Sequence, residues 1–197
     1  MALTAQDYDM MTLVEGDAPL GGMLRQHYWL PAIPADKLEA DGRPYRVRLV
    51  GRNYVIFRNT DGVVGILDEL CPHRRASLAL GQNRENGLTC IYHGWKFDVD
   101  GNLVDAPNVE TNREAFCKSV KLNRYKAVER GGIIWVWLGT GAVPHFPALP
   151  FVDLPADQRS VTSVECPTNY LQGVEASMDT THVSFLHQSV VELGGNT

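Results

Sequence analysis

Two segments carry side chains whose types and spacing could do chemistry. The first pairs Cys71-Pro72-His73 with Cys90-Ile91-Tyr92-His93, and 16 residues separate His73 from Cys90. Each half offers one thiolate and one imidazole. Pro72 stiffens the first loop, and Gly94, directly after His93, frees the second to turn sharply. Two chemistries use such a set. A zinc ion takes two cysteines and two histidines tetrahedrally. A [2Fe-2S] cluster takes both thiolates on one iron and both imidazoles on the other, which raises its potential above that of all-cysteine clusters. Zinc sites usually pair cysteine with cysteine and histidine with histidine. Here each loop mixes the two, which favours the cluster.

The second segment reads Glu175-x3-Asp179-x2-His182-x4-His187. A helix puts Asp179 and His182 on one face. It separates His182 and His187 by about 140°, so they can share a metal only where the helix ends, kinks or bulges. Taken alone, the pattern fits a metal site or a helix with two incidental histidines. Glu175, one turn before Asp179, either supports that carboxylate or is a solvated helical residue. His27, beside Tyr28 and Trp29, reads as a packing or hydrogen-bonding residue. Cys117 and Cys166 have no ligand-like neighbours and read as small buried hydrophobes.

Short strands must hold the first segment. From about residue 44 to 138, strand-like runs alternate with turn signals: 45–50, 53–58 and 63–67, with a hairpin turn at Asn59-Thr60-Asp61-Gly62 and another turn over 98–102. Gly132-Ile133-Ile134-Trp135-Val136-Trp137-Leu138 is the strongest strand. Few segments there read as helix, so a small antiparallel β domain is expected. The expected organisation is a lead-in over 1–30, containing a short helix or turn that ends at Pro31. A β domain follows over 31–140. A Pro- and Gly-rich linker covers 141–157, and 158–197 begins a second domain with a strand over 158–168.

The chain has 197 residues, 44% of them hydrophobic and 21% charged, with net charge −5. No apolar run is long enough to span a bilayer, and the N-terminus carries no secretory signal pattern. No Lys/Arg block offers a phosphate-binding stripe. The expectation is a cytoplasmic protein with no nucleic-acid or membrane partner, whose cysteines serve thiolate or metal chemistry rather than disulfides.

Cys71-Pro72-His73-Arg74 and Cys90-Ile91-Tyr92-His93-Gly94-Trp95 resemble the two cluster-binding loops of the Rieske family. Followed by 169–187, they resemble the large (alpha) subunit of Rieske non-haem iron aromatic-ring-hydroxylating oxygenases, and Gly22–Pro31 points to the phthalate dioxygenase-like group. The resemblance implies a mainly β Rieske domain (antiparallel, like other Rieske iron–sulfur proteins). After it comes the start of an α+β helix-grip catalytic domain, truncated here. It implies that Cys71, His73, Cys90 and His93 bind the cluster and that His182 and His187 bind a mononuclear Fe(II). Asp179 would be the catalytic bridge between His182 and, across a subunit boundary, His93. Electrons from NAD(P)H would arrive through a separate reductase component, and a homotrimer or stacked trimers would form. The reaction would be O2-dependent dihydroxylation of a phthalate-like aromatic acid; the alternatives are a monooxygenase or O-demethylase, or a ferredoxin-type electron carrier. The family's carboxylate ligand to the iron lies further downstream, and Glu192 has no resemblance to it. Gly194-Gly195-Asn196-Thr197 reads as a flexible end.

Overall fold

The computed structural model describes residues 3–188. They fall into two units: Val14–Ser163, and a smaller one joining the residues up to Leu13 with those from Val164 onward. In chain order the elements are α1 (Ala5–Thr12), α2 (Pro19–His27), β1 (Trp29–Pro34), β2 (Tyr45–Leu49), β3 (Arg52–Arg58), β4 (Val64–Asp68), β5 (Gln82–Arg84), β6 (Gly87–Thr89), β7 (Lys96–Phe97), β8 (Leu103–Asp105), α3 (Arg113–Ser119), β9 (Lys126–Arg130), β10 (Ile133–Trp137), α4 (Tyr170–Met178) and α5 (Val183–Leu186). No helix among the described residues is long and apolar enough to cross a membrane.

The larger unit is antiparallel β throughout its named strand pairs, in sheets of order β1-β10-β9, β2-β3-β4 and β5-β6-β7-β8. Strand β3 organises it. Successive side chains on a strand face opposite ways. Val55 and Phe57 therefore enter one core with Leu67, Leu88, Phe97, Cys71 and Cys90. Tyr54 and Ile56 enter a second core with Ile66, Ile134 and Val136. The hairpin before β3 turns through Val50 and Gly51, both at positive φ (46° and 74°), the geometry that matches strand twist. The hairpin after it closes at Asn59–Gly62, where the Gly62 N–H donates to the Asn59 carbonyl at 3.0 Å. Phe57 is completely buried. Phe57→Ala is expected to cost about 3–5 kcal/mol of stability, read as a lower urea midpoint with an unchanged slope.

The lead-in departs from the sequence reading. Helix α2 ends at His27, and Trp29–Pro34 is a strand rather than the tail of a helix. Among the described residues it pairs only with β10, and its register shifts between Pro31 and Ile33. A proline has no N–H to give a ladder, and an edge strand tolerates that. His27 is exposed rather than packed. The buried residues of α2 are Gly21 and Arg25, and the Arg25 guanidinium donates to the carbonyls of Val14 (3.3 Å), Gly16 (3.1 Å) and Val50 (2.9 Å). Helix α3 was not legible in the sequence. Cys117 on it is buried as expected, whereas Cys166 is exposed, contrary to expectation. No strand forms over 158–168: the segment finds no ladder partner among the described residues, and backbone groups without one stay with solvent.

In the smaller unit, Thr4 and Asp7 form a capping box on α1. The Asn169 side chain caps α4 and also donates to the Thr12 carbonyl at 2.9 Å, while the Tyr170 hydroxyl donates to the Met11 carbonyl. Glu192 and the expected flexible end lie outside the described residues.

Candidate metal centres

The two loops of the larger unit share one backbone design. In the first, the Cys71 N–H donates to the Ala76 carbonyl (2.9 Å) and the Arg75 N–H to the Cys71 carbonyl (2.9 Å). In the second, the Cys90 N–H donates to the Trp95 carbonyl (2.8 Å) and the Gly94 N–H to the Cys90 carbonyl (3.0 Å). The fifth residue of each turns left-handed, Arg75 at φ 60° and Gly94 at φ 74°. Gly94 therefore has the conformational role read from the sequence. A Cβ there would also lie 2.8 Å from the Pro107 ring. Gly94→Ala is expected to cost at least about 1–2 kcal/mol from the left-handed backbone alone, checked by thermal unfolding.

These twin turns sort the four donors into two pairs. Cys71 and Cys90 are buried, 1% and 3% exposed, and belong to the core around Phe57 and Phe97. His73 and His93 are half-buried, with ring centroids 4.5 Å apart. Burial pushes the Cys71 thiol up to about 11, helped by the neighbouring Cys90 and opposed by the His73 and Arg74 N–H groups. A cation is thus needed to hold Cys71 as a thiolate. Burial and the adjacent His93 lower the His73 pKa, favouring the neutral ring that a metal accepts. The buried Nδ1 of His93 has no hydrogen-bond partner, a lone pair that a metal would satisfy. No three His, Cys, Asp or Glu side chains among the described residues converge on a single-ion site. Two thiols in the floor and two imidazoles at the rim suit a dinuclear cluster better than one zinc ion.

Neighbours the sequence reading passed over hold the loops. Glu69, 4% exposed, accepts from Arg46 Nε and Ser77 Oγ, both at 2.6 Å. Burial alone would raise its carboxyl, but these partners outweigh that and hold it below its ordinary value. Trp95 lies flat on His73, with centroids 4.6 Å and planes 6° apart.

In the smaller unit the spacing required an irregularity between His182 and His187. One falls there, where α5 ends at Leu186 and His187 caps it, and a second precedes α5. Helix α4 stops at Asp179, whose Oδ1 accepts the Thr181 N–H at 2.9 Å and the Thr181 hydroxyl. A side chain that takes this N–H competes with the next helical bond. One short turn, α5, then separates His182 from His187, and their ring centroids are 5.5 Å apart. The Asp179 carboxylate stands 3.8 Å from His182 Nδ1. Its pKa is lowered, first by the Thr181 bonds and then by His182, so the group is ionised. Two imidazoles backed by a carboxylate can bind iron with positions left open. Glu175 is exposed and has no side-chain hydrogen bond among the described residues.

A small antiparallel β fold that carries two buried thiols and two neighbouring half-buried imidazoles on twin loops is a frame for a dinuclear iron–sulfur centre. The chain belongs to the family of the Rieske [2Fe-2S] domain, whose family model matches residues 28–128. More particularly, it is 43% identical over 188 residues to the oxygenase subunit of 3-chlorobenzoate-3,4-dioxygenase from Comamonas testosteroni, covering 95% of this chain and 43% of that protein. It is 42% identical over 189 residues to the oxygenase subunit of phthalate 4,5-dioxygenase from Pseudomonas putida, again covering 95% and 43%. The chain thus spans less than half the length of these curated relatives. A crystal structure of dicamba monooxygenase with non-heme iron and dicamba matches with TM-score 0.53 and 31% identity, over 59% of this chain and 34% of that one.

Proposed function

We propose that this chain is the cluster-bearing part of the oxygenase component of a ring-hydroxylating dioxygenase acting on an aromatic carboxylic acid. The carrying observation is the paired donor set: two buried thiols and two adjacent half-buried imidazoles on twin loops, with the buried His93 Nδ1 unpartnered among the described residues. Cys71, His73, Cys90 and His93 hold the [2Fe-2S] cluster, and His182 and His187 supply two ligands of a mononuclear iron. When bound, the cluster supplies single electrons and the iron activates O2 beside the substrate. The chain's own residues set the conditions. The core around Phe57 and Phe97 keeps water from the thiolates, and Asp179, ionised and tied to Thr181, fixes the His182 ring.

Asp179 also links His182 to His93 of a neighbouring copy in a head-to-tail trimer. The electron donor is a reductase component drawing on NAD(P)H, and the setting is cytoplasmic. The domain scheme read from the sequence is kept, with the catalytic part opening within 158–197. Two dioxygenase subunits at over 40% identity support dihydroxylation of a phthalate-like or benzoate-like acid. The likeness to dicamba monooxygenase supports monooxygenation as the second reading. An electron carrier has no use for the Asp179–His182–His187 group.

The test is turnover of the full-length protein with a reductase, NADH and aromatic carboxylates under ¹⁸O2. A dihydrodiol carrying two labelled oxygens is the expected product. A single labelled oxygen, or a demethylated phenol, selects the monooxygenase reading. Electron transfer to an acceptor protein with no oxygenated product would overturn both.

A further inference from the structure

The two loops match in backbone but not in side chain. The residue five beyond the cysteine is Ala76 in the first and Trp95 in the second, each giving its carbonyl to the cysteine N–H. Trp95 reaches across and lies parallel on the imidazole of the opposite loop, His73, at 4.6 Å and 6°. Ala76 has no ring to return the cover to His93. Among the described residues, the His93 ring meets only Tyr92, tilted by 35° and itself exposed, besides His73. The indole is 6% exposed and held from two sides. Phe116 of α3 meets it edge-on at 5.4 Å, and Asn108 Oδ1 accepts its Nε1–H at 2.7 Å. Asn108 is exposed and stands 13 residues beyond Trp95, so its side chain can be changed without opening the core.

We propose that Trp95, tethered by Asn108, is a positioning residue that fixes the His73 ring and shields that side of the cluster from water, lowering the cluster's potential. The inference rests on the cluster reading above. A centre of two irons, two sulfides, two thiolates and two neutral imidazoles is neutral when oxidised and carries one negative charge when reduced. Excluding water disfavours the charged state. The parallel ring also fixes the imidazole plane, and ring pairs favour such offset stacking. Freeing the indole, or shrinking it, lets water approach and favours reduction.

The experiment is a redox titration of the holoprotein, followed by the electron paramagnetic resonance of the reduced cluster, for wild type, Trp95→Phe, Asn108→Ala and Asn108→Gln. Iron and acid-labile sulfide are measured in each, and ultraviolet resonance Raman reports the indole N–H bond. Trp95→Phe and Asn108→Ala are expected to raise the potential with sulfide undiminished, Trp95→Phe by more. Asn108→Ala is also expected to lose the indole hydrogen-bond signature. Asn108→Gln keeps an amide acceptor and is expected to stay nearest wild type. Unchanged potentials in loaded Trp95→Phe and Asn108→Ala overturn the proposal, as does loss of the cluster from both, which makes the indole a structural prop. Absence of sulfide from wild type overturns the cluster reading itself.

Discussion

Cys90→Ala is expected to abolish the visible absorbance of the protein, its acid-labile sulfide and its oxygenase turnover, whereas Cys117→Ala leaves all three in place. Both cysteines are buried in the same core, around Phe97 and Leu103. Both substitutions remove one sulfur from an apolar setting and leave a similar small void. A packing role would make the two variants equivalent. A ligand role separates them, because Cys90 sits in one of the twin loops with its thiol beside Cys71, whereas Cys117 lies on α3. Iron and sulfide analysis of the two proteins side by side reads the difference. A Cys90→Ala protein that kept its sulfide would remove Cys90 from the ligand set.

Asp179→Asn carries the second large effect. The two side chains have nearly the same shape, and an amide oxygen can still accept the Thr181 N–H that ends α4. What disappears is the negative charge 3.8 Å from His182 Nδ1. Replacing partners that orient metal-bound imidazoles typically costs about 10–100-fold in metal affinity or activity, and that range is expected here. Single-turnover product formation by pre-reduced protein measures it, with the cluster's paramagnetic signal as internal standard. A normal cluster with slowed turnover supports the bridging role; an unchanged rate removes it.

Much of this architecture is written locally. The runs 45–50, 53–58 and 63–67 correspond to β2, β3 and β4 within a residue or two, because alternating apolar residues and tight turns act over short distances. Both cysteine loops were legible for the same reason, since spacing and turn residues alone bring each donor pair together. Strand β1 was hidden because Pro31 reads as a stop and only pairing with β10 makes it a strand. Arg25 was hidden because three carbonyls distant in sequence define its burial. The partners of Trp95 were hidden likewise: Asn108 and Phe116 carry no local signal of where the indole lies. In the second segment the residues were legible and the backbone was not. The break at Asp179 depends on one side chain outcompeting a helical bond, a balance that periodicity does not register.

The central question is what the larger unit holds. Metal and acid-labile sulfide analysis of the purified full-length protein, with the spectrum of its reduced form, tests that most directly. The expected result is two sulfides per chain, about two irons in the cluster and a third in the mononuclear site, and the signal of a mixed histidine–cysteine [2Fe-2S] centre. Stoichiometric zinc with no acid-labile sulfide would contradict it.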